Sequence, residues 1–445
     1  MRTRTLVLAV LTISGAALTT NAIVARGAPP APAAGWDARI QESAASMLAE
    51  GRRVFRHETF GSEAFWGDAL RLHQAIAGEK GGGVGPGISP KAALSLGLKV
   101  DMDALPADLV AQIKAGKVDL DDPGTTTALL SLNAVVGVTG FFPKQSKTLT
   151  SVGINCAICH STVDDAFAPG IGHRLDGWPN RDLNVGAIVL AAPNLKPILD
   201  LLQIDAATAK KVLSAWGPGR YDAELNLDGK GFRPDGKTSA VLIPAAFGKA
   251  GVNEHTWGTG WGSTTYWNAF VANLQMYGQG NFYDPRLDDA AKYPVAARAK
   301  LGHKTTAEDK VTPHLAALHY YQMSIPAPTP PAGSFDPASA ARGKAVFAGQ
   351  AQCAVCHVPP LFTEPGWNAH TGAEVGIDDF HASRSPTGRY RTAPLSGLFA
   401  QSKGGFYHDG RFPTLEAVVD HYDQLKNLGL SSEQKHDLVE YLKSL

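Results

Sequence analysis

The chain has 445 residues, 44% of them hydrophobic, and Lys plus Arg balances Asp plus Glu at 41 each. That balance leaves no gross charge with which to hold nucleic acid or an anionic membrane surface, while the length suffices for two or three domains with real cores. Gly at 47 and Pro at 29 are both high, which predicts a mainly α protein whose helices are held in extensive loops.

Met1 to Arg4 is basic and Leu6 to Leu18 is apolar with small residues, so 1–28 reads as a secretory signal peptide cleaved after Ala25 or Ala28. An uncleaved anchor is the alternative, although a span needs ~20 apolar residues. Nothing later reads as transmembrane. From Trp36 to Phe55, residues such as Ile40, Ala44, Met47, Gly51 and Phe55 recur at helical spacing and close in a G-x-x-V-F pattern, Gly51 to Phe55. Further helices are predicted over Phe60 to Ile76 and, started by Pro106, over Leu105 to Ile113. Thr126 to Gly137 is an apolar stretch, and His57 and His73 read as packing or solvent histidines.

Cys156-Ala157-Ile158-Cys159-His160 is the first of two C-x-x-C-H peptides; Cys353-Ala354-Val355-Cys356-His357 is the second. Together they use all four cysteines, leaving none for a structural disulfide. Two thiols at this spacing form thioethers with the vinyl groups of one haem, and the next residue places its imidazole under the iron. Two covalently bound haem c groups are expected, with His160 and His357 as proximal ligands, each neutral when it binds iron. Such haems are attached outside the cytoplasm, so the periplasm is the expected location.

The segment from Ser161 to Asn184 reads as a long loop around the first haem, and such loops tend to be functional. Arg174 and Arg181 are candidate partners for haem propionates. His173, His255 and Met276 are candidates for the distal ligand, and an empty sixth position is the alternative. Leu195 to Leu213 is predicted helical. Glu224, Asn226 and Asp228 alternate before Gly229 as calcium-loop ligands do, although the usual first Asp and last Glu are missing, and a polar turn is the alternative. Trp257, Trp261, Tyr266 and Trp267 form an aromatic cluster beside Glu254 and His255.

Thr312 to Met323 reads as the helix closing an enlarged first haem domain, 36–323. The Pro-rich 324–335 is a stiff linker, and 336–445 is a compact second haem domain. Gly343 to Phe347 repeats the G-x-x-V-F pattern. It lies ten residues before the second haem peptide, whereas its counterpart lies about a hundred before the first, so the first domain carries a large insertion. No methionine follows Met323, which points to a second haem with two histidine ligands. His421, on a helix begun by Pro413 and Thr414, is the first choice for the second, with His370 and His381 behind it.

The C-terminal quarter, from Gly343 through Cys353 to His357, Phe406-Tyr407-His408-Asp409-Gly410-Arg411-Phe412 and Thr414-Leu415-Glu416, resembles the electron-transferring domain of bacterial dihaem cytochrome c peroxidases. That superfamily also holds the enzyme that matures the tryptophan cofactor of methylamine dehydrogenase. The resemblance implies that His421 stands where the family places its distal ligand and that His408 sits near the haem without binding it. It also implies a catalytic glutamate, for which Glu254 is the candidate, with His255 able to move a proton. The long first domain is closer to larger dihaem relatives such as the rubber oxygenases. The expected function is therefore a periplasmic dihaem oxidoreductase: a first haem that reacts with peroxide or dioxygen, and a second that exchanges electrons with a small redox protein or quinol-linked cytochrome. A non-catalytic electron carrier and a dioxygen-using oxygenase are the alternatives.

Overall fold

The computed structural model describes residues 35–144, 146–366 and 368–445; the signal-peptide segment lies outside them. The chain divides into two compact units, 1–45 and 46–445. In the first, the described residues are mostly the opening turns of the helix Trp36–His57. The second unit includes the Pro-rich stretch and the sequence on both sides of it.

Helices dominate, and among the described residues strands occur only as two-stranded pairs. None of these helices is long and apolar enough to cross a membrane. The two G-x-x-V-F patterns do the same physical work. A Cβ on Gly51 would lie 2.0 Å from the Ala317 carbonyl oxygen, so only glycine lets its helix cross Leu315–Ser324 at this separation. A Cβ on Gly343 would lie 1.9 Å from the Asp437 carbonyl oxygen, where Pro337–Ala348 crosses Ser432–Lys443. At each crossing the pattern's phenylalanine packs on a tyrosine one turn beyond the contact: Phe55 on Tyr321 at 5.6 Å and Phe347 on Tyr441 at 5.2 Å.

Other predicted elements change shape. The single helix expected over Phe60 to Ile76 is a π-helical turn, Ala64–Ala69, and an α-helix, Leu72–Ala77, broken at Arg71 with φ of 60°. The π-turn includes Trp66, whose Nε1 donates to Met276 O at 3.0 Å. A second π-turn, Val271–Gln275, immediately precedes Met276. Leu195 to Leu213 is likewise two helices, Lys196–Leu202 and Ala206–Ser214, separated by Gln203 in the left-handed region and a new N-cap at Asp205. The long loop after His160 contains an antiparallel pair, Ser161–Val163 with Arg174–Asp176, because its polar residues supply ladder and turn bonds without needing a core.

Candidate haem sites

Asn155 starts the first site: its side chain accepts from Ala157 N at 3.2 Å and opens the one-turn helix Ala157–His160. The backbone of Gly177 and Asn180 then clamps that turn, with their N–H groups donating to His160 O and Cys159 O. His160 Nδ1 meets Pro244 O at 3.2 Å. An imidazole that donates through Nδ1 keeps Nε2 for a metal, and such a carbonyl partner fixes the ring. Burial, with Lys249 nearby, pushes His160 down to about 4, so the ring is neutral. Burial also pushes the Cys156 and Cys159 thiols up to about 12.

These three residues line a cavity of about 210 Å³, mostly apolar, together with His255, Met276 and Trp257. Trp257 is fixed by its Nε1 donating to Leu242 O at 2.9 Å. The cavity also takes in four residues that the sequence reading did not assign to it: Glu224, Lys249, Tyr221 and His381. Lys249 and Arg391 are both buried, and among the described residues neither forms an ion pair. Burial, with Arg391 nearby, holds the Lys249 ammonium well below its usual range, and burial lowers Arg391 to about 10. Lys249, buried in this cavity without a carboxylate partner beside two thiols and a neutral imidazole, is the complement of a haem propionate, whereas Arg391 lies outside the lining with Nη1 donating to Glu254 O at 3.2 Å. The residues fit the group.

Glu224 is the carboxylate of this cavity. Its Oε2 is buried with no hydrogen-bond partner, and burial pushes the group up to about 7. It stands in an acidic cluster around one guanidinium: Arg384 meets Asp222 at 2.9 Å and grips Asp228 through two bonds of 2.8 and 2.9 Å. Of the oxygens in the calcium-loop reading, those of Asp228 are both taken by Arg384, while Asn226 Nδ2 donates to Tyr277 OH at 2.8 Å and Glu224 Oε2 has no partner.

Several predicted residues lie elsewhere. His173 is about half exposed, with Nδ1 2.8 Å from Asp103, and does not join the cavity. Arg174 is spent on a buried ion pair with Asp101 at 2.8 Å. Glu254 turns its carboxylate to Gly260 N at 3.4 Å instead of into the cavity. Arg181 is buried with Nη1 donating to Lys403 O at 3.3 Å. Trp261 is fully buried in an aromatic cluster with Trp267, Phe270 and Tyr293.

In the second site His357 Nδ1 meets Phe362 O at 3.1 Å, again leaving Nε2 free, and burial holds the ring below its usual value. Cys353 packs on the cluster of Phe347, Leu438 and Leu442, so an apolar wall and a thiol–imidazole set fit a second haem. His421 Nε2 donates to Val375 O at 2.8 Å, and its ring lies 4.6 Å from Phe412. His370 Nε2 is 2.8 Å from Glu364, and ligand atoms of Cys356, Glu364 and His370 fall within 4.8 Å of one another. The two sites are joined by backbone: Tyr390 pairs with Gly258 on one side and with His370 on the other.

No family model matches the chain. Over 122 residues it is 31% identical to Methylamine utilization protein MauG of Methylorubrum extorquens (strain ATCC 14718 / DSM 1338 / JCM 2805 / NCIMB 9133 / AM1), an alignment covering 24% of this chain and 35% of that protein. The chain thus spans about a third of the curated relative's length. The match bears out the resemblance to the dihaem cytochrome c peroxidase superfamily. Among solved structures, a MauG-like protein associated with microbial copper homeostasis aligns at TM-score 0.32 and 19% identity, over 48% of this chain and 76% of that one. Hydrazine synthase of Kuenenia stuttgartiensis aligns at 0.26 and 17%, over 46% and 73%.

Proposed function

We propose that the chain is an exported, periplasmic dihaem c-type oxidoreductase of the peroxidase-like kind, with one haem held at Cys156, Cys159 and His160 and the other at Cys353, Cys356 and His357. The observation that carries the reading is Glu224: a buried carboxyl with a free oxygen, pushed up to about 7, in the same cavity as His160. A pure electron carrier has no use for such a group. Haem c bound there supplies a one-electron iron centre and, where a coordination position is open, a binding point for peroxide or dioxygen.

The chain's own residues do the rest. Glu224 holds a proton near neutral pH and can deliver or take it at Oε2, which is the matched proton affinity that general acid–base work needs. Lys249 would meet a haem propionate, and Trp257, anchored on Leu242 O, lines the cavity. His421 would be the second histidine to hold the C-terminal haem, its Nε2 being the nitrogen now bonded to Val375 O. A small redox donor protein or a quinol-linked cytochrome is the proposed electron partner.

Stopped-flow mixing of the oxidised and half-reduced protein with hydrogen peroxide, and of the reduced protein with dioxygen, tests this. A shift of the Soret band in either case is expected, slowed ~10²–10⁴-fold in Glu224→Gln. A band that never moves, with both irons low-spin by electron paramagnetic resonance, would replace the enzyme by the carrier, with His255 capping the first iron.

A further inference from the structure

Behind the wall of the first cavity lies another of about 100 Å³. Trp66, Val185, Tyr221 and Gln275 line both cavities, so their side chains form the partition. The far walls are mainly aliphatic and aromatic, with Val189, Ile198, Val212, Leu213 and Leu225 from four different helices, and take in the exposed Thr208. The polar residues of the partition turn their polar atoms to one another: Tyr221 OH donates to Gln275 Oε1 at 2.5 Å, and Gln275 Nε2 to Ala223 O at 2.7 Å. Asn226 is spent on Tyr277 OH, and Asp222 meets Arg384 through one oxygen. Two buried polar atoms of the lining residues lack partners, Trp216 Nε1 and Asp222 Oδ2.

We infer that this chamber is a binding site for a small apolar gas, dioxygen in the reaction proposed above, feeding the neighbouring cavity through the Trp66–Tyr221–Gln275 partition. Three arguments favour that occupant. Apolar cavities stay empty of water and take up xenon or small hydrocarbons, a cavity of ~150 Å³ being large enough for benzene. The volume here therefore admits a diatomic gas and excludes a polymer. Peroxide, by contrast, would surrender its hydrogen bonds to water and find at most two buried partners on these walls. The partition also contains Trp66, within one π-turn, and Gln275, which ends another; such turns occur frequently at functional sites.

The inference rests on the reading of the His160 cavity as the reacting one, and the test separates the two. Crystals of the holoprotein pressurised with xenon should show an anomalous peak between Val212, Leu213 and Leu225. Ordered water there, or no peak, would overturn the chamber whatever the protein's activity. In solution, Val212→Phe fills the space and should slow the reduced protein's reaction with dioxygen about tenfold while leaving its reaction with peroxide within twofold. Ile198→Phe, from a different helix, should do the same and guards against a folding defect in the first variant. Equal slowing with both oxidants, or none with either, would sink the proposal while leaving the oxidoreductase reading in place.

Discussion

The rings of His381 and His408 stack with centroids 5.2 Å apart and planes 16° from parallel. Tyr390 completes the group, 5.1 Å from His408. One member, His381, lines the first haem cavity, and His408 O accepts from Leu242 N at 2.7 Å, the residue whose carbonyl fixes Trp257. The C-terminal segment therefore builds part of the first site.

Removing His408 should loosen that joint. The ring is 2% exposed, so His408→Ala leaves a hole under two aromatic neighbours and should cost about 2–3 kcal/mol. His408→Phe keeps the stack and should recover most of it. Urea unfolding followed at the Soret band measures both; equal loss in the two variants would mean that the stacking contributes nothing.

The haem content should be two per chain by pyridine haemochrome and by peroxidase staining of a denaturing gel. Cys156→Ala with Cys159→Ala should leave one, as should Cys353→Ala with Cys356→Ala. A single haem in the unaltered protein contradicts the assignment of both peptides.

His421→Gly should convert one low-spin haem to high-spin, read by electron paramagnetic resonance, while His408→Phe leaves it low-spin. An unchanged spin state would transfer the ligand role to His370, whose Nε2 is held by Glu364 and Thr392.

Stability should depend on pH through Glu224. Burial raises its folded value from 4.5 to about 7. A carboxyl raised on folding contributes stability that is fully present below 4.5 and is lost as the pH climbs through about 7, because the unfolded chain ionises first. Glu224→Gln cannot ionise, so its urea midpoint should fall less between pH 5 and pH 8 than that of the unaltered protein. Parallel curves would show that Glu224 titrates normally.

Arg384 is fully buried against Asp222 and Asp228. Arg384→Met strips the cation from an acidic cluster and should destabilise by about 3–5 kcal/mol. Lysine should rescue little of this, since it lacks the fork that grips Asp228 twice. Thermal unfolding of the three proteins at one pH decides it.

The haem peptides, the flanking helices and the Gly51 and Gly343 crossings were legible because each depends on a short local pattern. The π-turns at Trp66 and Gln275 were not, since a helical repeat does not announce where one extra residue is inserted. Glu224 was visible as one of several alternating acids, but its role depends on Arg384, which lies 160 positions away and carries no local signal. Lys249 and Arg391 are ordinary in sequence; only their burial without a carboxylate marks them. Arg174 and Glu254 misled for the same reason, because their partners Asp101 and Gly260 could not be read from spacing.

The two glycine crossings differ in one respect that bears on how the chain assembles. Gly51 meets a residue about 270 positions onward, Gly343 one only about 90 onward. Closing the longer loop costs about 1 kcal/mol more chain entropy before any contact repays it, and distant pairings form slowly. The C-terminal helix pair should therefore close first. It would then stand ready, with His381 and Arg384, as the surface on which the longer loop completes itself.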